Sequence, residues 1–263
     1  MKKLLAVVVT GAMMLMAVGC TKSSLGPAEA GAPTIPSAAT MQIPQLGQDA
    51  GALSKATVND TIAYSLAKIA VVYWTLTVEG ALAAPVALFK IARLMKPTKL
   101  SDNSGWQWVI PPTKDGFTAT LVGRVAQDSV RWSMSVTGGA LTNFIWFEGT
   151  ATITGTNGYW TFHDTTSLHP ALVRFTYNIS AAYYGDITAT VVDPANAHYQ
   201  SYLKWTSSGT TKYFDGFDSA KNEQYRISWD SVTEAGYVMN VTNGNKACWD
   251  TKANNHRDIP CLP

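Results

Sequence analysis

From Gly105 onward apolar residues recur with a period of two, and this constrains the fold more than any other feature of the chain. Trp106, Trp108 and Ile110 alternate, as do Phe117, Ala119 and Leu121 against Thr118 and Thr120, and then Trp132, Met134 and Val136. Further runs lie at 143–154, 158–164, 171–179, 186–192, 200–206, 211–215, 223–229 and 236–242. Turn-forming pieces separate them: Thr137-Gly138-Gly139, Thr156-Asn157-Gly158, Ser208-Gly209 and Asn243-Gly244-Asn245. Alternation with a turn every ten or so residues and no helical pattern between strands predicts an antiparallel meander. The expected fold is mainly β: about eleven strands forming a barrel or sandwich over residues 100–263, preceded by two short helices.

Eight of the nine tryptophans and nine of the eleven tyrosines fall in this region. Each buried ring removes roughly 150–250 Å² from water, so the β region can build its core without a metal or cofactor, and none is expected. Outward positions are often Ser, Thr, Gln or Arg, as in Arg131-Ser133-Ser135 beside Trp132-Met134-Val136. One face is expected to be packed and the other wet.

Residues 57–96 follow a helical period instead. Thr57 with Asp60 resembles a capping box, and Ile62, Leu66, Ile69, Tyr73 and Leu76 follow at spacings of four and three. Leu88, Ile91, Ala92 and Met95 form a second series, stopped at Lys96-Pro97. A single helix over all forty residues would be ~60 Å long. Gly80 and Pro85 therefore predict a break and two helices packed on the β domain. A membrane span over 69–89 is disfavoured by Glu79 near its middle, at a cost of about 3 kcal/mol.

The N-terminus reads MKKLLAVVVTGAMMLMAVGC: two lysines, an apolar run, then small residues before Cys20. This is the layout of an export signal over 1–19. Ala17-Val18-Gly19-Cys20 resembles the lipobox of bacterial lipoproteins, with Ala17 where leucine is usual. The resemblance implies cleavage before Cys20, a lipid on that cysteine, and attachment to a membrane through it. Thr21 stands where aspartate would retain such a protein in the inner membrane, so the resemblance implies the outer membrane. Residues 20–56, rich in Ala, Gly, Pro, Ser and Thr, are expected to form a flexible tether.

With Cys20 carrying lipid, Cys248 and Cys261 are the two cysteines left in an exported protein, and a disulfide between them is expected. The stretch 250–260 then becomes a solvated loop, with His256, Asp250 and Asp258 as ordinary residues of it. Removing Lys2 and Lys3 leaves 18 basic against 18 acidic side chains. That balance offers no concentrated basic surface for nucleic acid.

Motifs of catalysis are sparse. The chain has four histidines and no Gly-x-Ser-x-Gly, His-Glu-x-x-His or Cys-x-x-Cys. Asp215, Asp218, Asn222 and Glu223 gather oxygens without the spacing of a calcium loop and read as a hairpin turn. His163, beside Asp164, is expected to face water. Glu148 in NFIWFEG is the one glutamate well inside an expected strand, and strict alternation places it with Phe144 and Trp146 as a weak ligand-binding set. The expected function is a non-enzymatic envelope lipoprotein whose β domain binds an apolar or amphipathic ligand. The alternatives are a surface or structural module touching glycan or protein through aromatic residues and, third, a hydrolase.

Overall fold

The structure, a computed structural model, describes residues 31–42, 62–114, 116–165, 170–179, 184–252 and 255–261. The export signal, Cys20, Thr57 and Asp60 lie outside them. Among the described residues fourteen strands form one antiparallel sheet whose spatial order is the chain order, and β1 at one end does not pair with β14 at the other. The strands are β1 (Thr98–Lys99), β2 (Trp106–Ile110), β3 (Thr118–Ala126), β4 (Ser129–Gly138), β5 (Leu141–Thr152), β6 (Asn157–His163), β7 (Ala171–Ile179), β8 (Tyr184–Val191), β9 (Tyr202–Ser208), β10 (Thr211–Asp218), β11 (Glu223–Asp230), β12 (Gly236–Asn240), β13 (Lys246–Lys252) and β14 (Asn255–Ile259). The antiparallel meander matches the alternation, but the count is fourteen and not eleven. β1 is too short to show a period, while β13 and β14 are too polar to read as half-buried strands.

One helix, α1 (Ile62–Ala92), replaces the two expected, and it runs through Gly80 and Pro85. A proline inside a helix removes one hydrogen bond and costs about 3 kcal/mol. Around it Leu82, Val86, Leu88, Phe89 and Ala92 are buried, and this burial offsets the lost bond. No described helix is long and apolar enough to cross a membrane.

The chain divides into two compact units, and α1 contributes to both. The described part of the first lies within residues 31–41 and 79–172. Within it, a row of paired residues crosses five strands as Trp106, Gly123, Trp132, Gly149 and Trp160. The glycines make room for the rings. A Cβ on Gly123 would lie 2.7 Å from Cζ3 of Trp132, and one on Gly149 2.7 Å from Cε3 of Trp160. Phe89 of α1 packs edge-on against Trp160 and Phe147, with centroids 5.3 and 5.8 Å away.

Part of the segment expected as a tether also belongs to this core. A 3-10 turn over Ala38–Met41 buries Met41 and Thr40, and the Trp160 indole N–H donates to Thr40 Oγ1 at 2.9 Å. Ile35 is buried as well. Two apolar anchors and a hydrogen bond suffice to order a stretch that composition alone marks as loose.

The described residues of the second unit lie within 42, 62–78 and 173–261. Phe175, Ile187, Leu203, Trp205, Phe214, Ile227, Trp229 and Trp249 are buried on β7 to β13. A shorter row, Trp229, Gly236 and Trp249, repeats the arrangement of the first unit. Tyr64 of α1 is 2 % exposed and meets Trp249 edge-on at 5.7 Å.

Candidate functional site

The set Phe144, Trp146 and Glu148 is not on one face. β5 pairs Phe147 with Met134 but Ile145 with Ser135, so Trp146 is an extra residue. Such a bulge shifts the alternation by one. Phe144 and Phe147 are consequently both buried, Trp146 is half-buried, and the Glu148 side chain is 53 % exposed. A one-residue insertion leaves no mark in hydrophobic periodicity when the inserted residue is itself aromatic.

The same shift brings Glu148 to the other residue singled out in the sequence. Its Oε1 lies 3.5 Å from Nε2 of His163 on β6. The carboxylate is open to water, so the pair contributes at most about 1 kcal/mol.

In the second unit the C-terminal stretch is a hairpin, not a solvated loop. Cys248 and Cys261 are joined by a disulfide, with Cα atoms 5.3 Å apart. Arg257 holds Asp250 with two parallel hydrogen bonds, the second 2.6 Å long. The carboxylate of Asp250 pushes the Arg257 guanidinium above its ordinary value. His256 is only 8 % exposed: its ring stacks on Tyr64, with centroids 3.6 Å apart and planes 8° from parallel. Nε2 of His256 lies 3.7 Å from Glu234 Oε2. Asp258 accepts a hydrogen bond from the Ala63 N–H at 3.2 Å. An aspartate thus serves the positive end of α1 from far along the chain, a cap that no local motif announces.

Beside this hairpin lies an open groove of about 360 Å³. Trp229, Trp249, Ile259 and Pro260 form much of its apolar wall, and Cys248 adjoins them. Lys246, also lining the groove, places Nζ 4.4 Å from the centroid of the Tyr237 ring. Asp230 lines it too, but its carboxylate already accepts from the Thr210 hydroxyl and from the N–H groups of Val232 and Thr233. Those bonds hold its pKa down at about 2. Asp230 is therefore an anchor of the 230–235 turn, while Lys246 remains available to an anionic group.

Sequence reasoning did not single out Tyr237 or Lys246. They stand directly opposite Cys248 and Met239 on paired strands, a relation carried by register and not by spacing. Elsewhere in the second unit, His198 Nδ1 lies 3.0 Å from Asp218 Oδ1, and Arg226 pairs with Asp215 through two hydrogen bonds. The oxygen-rich stretch 215–223 therefore finds side-chain partners at the end of the β10–β11 hairpin. Among the described residues no three His, Cys, Asp or Glu side chains gather as a metal site would. Comparison of the chain with family models, curated proteins and solved structures finds no match.

Proposed function

We propose that the chain is a non-enzymatic, lipid-anchored protein of the outer membrane that acts as a surface or structural contact module. The observation that carries this reading is where its aromatic residues are spent. Trp106, Trp108, Trp132, Trp160, Trp205, Trp229 and Trp249 are each at most 6 % exposed. In the first unit Phe89 fills the space over Phe147 and Trp160, and in the second Tyr64 fills it over Trp249. Rings so placed stabilise the fold and leave contact to the partly exposed tyrosines Tyr159, Tyr199 and Tyr225. The signal peptide and Cys20 support the anchoring.

Metabolic labelling with palmitate tests the anchor. Cys20→Ser should abolish it, and continued labelling would overturn the lipoprotein assignment. The contact role is tested by retention of the protein on isolated envelope. Replacing Tyr159, Tyr199 and Tyr225 by serine should release it, and undiminished retention would count against contact through exposed aromatics.

The groove beside the disulfide favours a second reading, an amphipathic ligand with its apolar part on Trp229 and Ile259 and an acidic head at Lys246. Extraction of the purified protein and mass spectrometry of the extract test it. Recovery of a fatty or similar acid, lost in Lys246→Glu, would promote this reading above the first. An empty extract would remove it.

A further inference from the structure

We infer that the exposed cations Lys90, Arg93, Lys96 and Lys99, with Leu94 among them, dock the first unit onto a membrane surface of anionic phospholipid. For its partner this rests on the lipid-anchored reading. The four cations recur every third residue at the end of α1 and into β1, and no aspartate or glutamate occurs between Gly80 and Ser101. All four are exposed, and none makes an ion pair with a described residue. Lys99 lies over the Trp106 ring at 5.4 Å, which leaves its charge at the surface.

Part of this pattern has a local cause. Lys90 and Arg93 answer the negative end of the α1 dipole, as cations in a last turn do. Lys96 and Lys99 lie past that turn and gain nothing from it. Nor does the dipole explain Leu94, an apolar side chain 57 % exposed among four charges. Cations flanking an exposed apolar residue fit an interface where phosphate lies above hydrocarbon.

Chain length makes the contact reachable. Eleven peptide units separate Cys20 from Gly31, where the described part of the first unit begins. At no more than about 3.6 Å each they span at most ~40 Å, roughly the width of a domain. A lipid on Cys20 would keep this unit at the bilayer, where each cation adds about fivefold to binding.

The test uses the chain from residue 20 onward with Cys20→Ser, which retains every described residue and carries no lipid. It should sediment with phosphatidylcholine vesicles containing phosphatidylglycerol, bind phosphatidylcholine alone at least tenfold more weakly, and be released by high salt. Lys90→Gln, Arg93→Gln, Lys96→Gln and Lys99→Gln together should abolish binding. A charge-matched control at Lys114, Arg131, Lys204 and Lys221 should keep it, with circular dichroism verifying the fold of both. Leu94→Ser alone should weaken binding severalfold. Equal affinity for the two vesicle types, binding to neither, or an equal loss in the control would overturn the inference. Palmitate labelling of Cys20 is unaffected by any of these results, so the anchor and the docking surface stand or fall separately.

Discussion

The two units solve one packing problem at different lengths. In the first, tryptophan and glycine alternate across five strands, from Trp106 to Trp160. In the second, the same alternation covers three strands, Trp229, Gly236 and Trp249, and stops one strand short of the sheet end at β14. The long row is backed by Phe89 and by Thr40 on the 31–42 segment, and no cysteine occurs between residues 79 and 172. The short row is backed by Tyr64 and reinforced at its end by the Cys248–Cys261 disulfide and the Arg257–Asp250 pair. A terminal strand has one neighbour instead of two, and a covalent clasp supplies what the missing neighbour cannot.

Trp160→Ala should break the first half of this comparison most severely. Trp160 is fully buried and closes the row, so its loss should cost about 3–5 kcal/mol. Denaturant unfolding followed by fluorescence of the remaining tryptophans would measure it. A loss below about 1 kcal/mol would mean that the row is decoration on a core held by other contacts.

Opening the clasp should come next. Cys248→Ser with Cys261→Ser removes a link between residues 13 apart, worth about 3 kcal/mol for a loop of this size. Hydrogen exchange should quicken in 255–259 and in the first turn of α1, where Ala63 donates to Asp258 and Tyr64 stacks on His256. The first unit should be unchanged. Exchange that quickened equally in β3 and β4 would show that the clasp is not local.

Gly236→Ala asks whether the short row uses its glycine as the long one does. A Cβ there would lie 2.2 Å from the Ser228 carbonyl oxygen and 2.6 Å from Cζ2 of Trp249. Backbone on one side and a buried ring on the other leave little room to give, so about 1–3 kcal/mol should be lost. Gly209→Ala, at a turn where nothing lies within 4 Å, measures the cost of a positive φ of 59° without crowding, the converse of Gly236, which is crowded but has no positive φ.

The same contrast explains what could be read from the sequence. Most of the meander was legible, because half-buried strands must alternate and Trp132, Met134 and Val136 do. The Trp-Gly rows were not, since Trp132 and Gly149 become neighbours only through register. At Glu148 the bulge defeated alternation: Trp146 fills the extra place with an apolar ring, so the pattern reads straight through it. His256 failed for another reason. Its strand, NHRDI, is polar up to its last residue, and its burial comes from Tyr64, almost two hundred residues earlier. Pro85 misled in the opposite sense, a local break overridden by the buried neighbours Leu82, Val86 and Phe89.

The smallest expected effect compares one turn from each unit. Asp102 accepts from the N–H and hydroxyl of Ser104 in the loop between β1 and β2, and these bonds hold its carboxyl below the ordinary value. Asp230 does the same between β11 and β12 with three donors, and is held at about 2. A carboxyl lowered in the folded state adds stability above its unfolded pKa of 3.8, and that addition disappears as pH falls from about 4 toward 2. Asp230→Asn should therefore lower the unfolding midpoint at neutral pH and converge with the parent near pH 2. Asp102→Asn should show the same sign with a smaller difference, because two donors from one residue are fewer than three from Thr210, Val232 and Thr233. Both carboxylates are open to solvent, so added salt should shrink the two differences together. If Asp102 proved the stronger anchor, number of donors would not be what separates these turns, and the charge of nearby Arg124 would have to carry the difference.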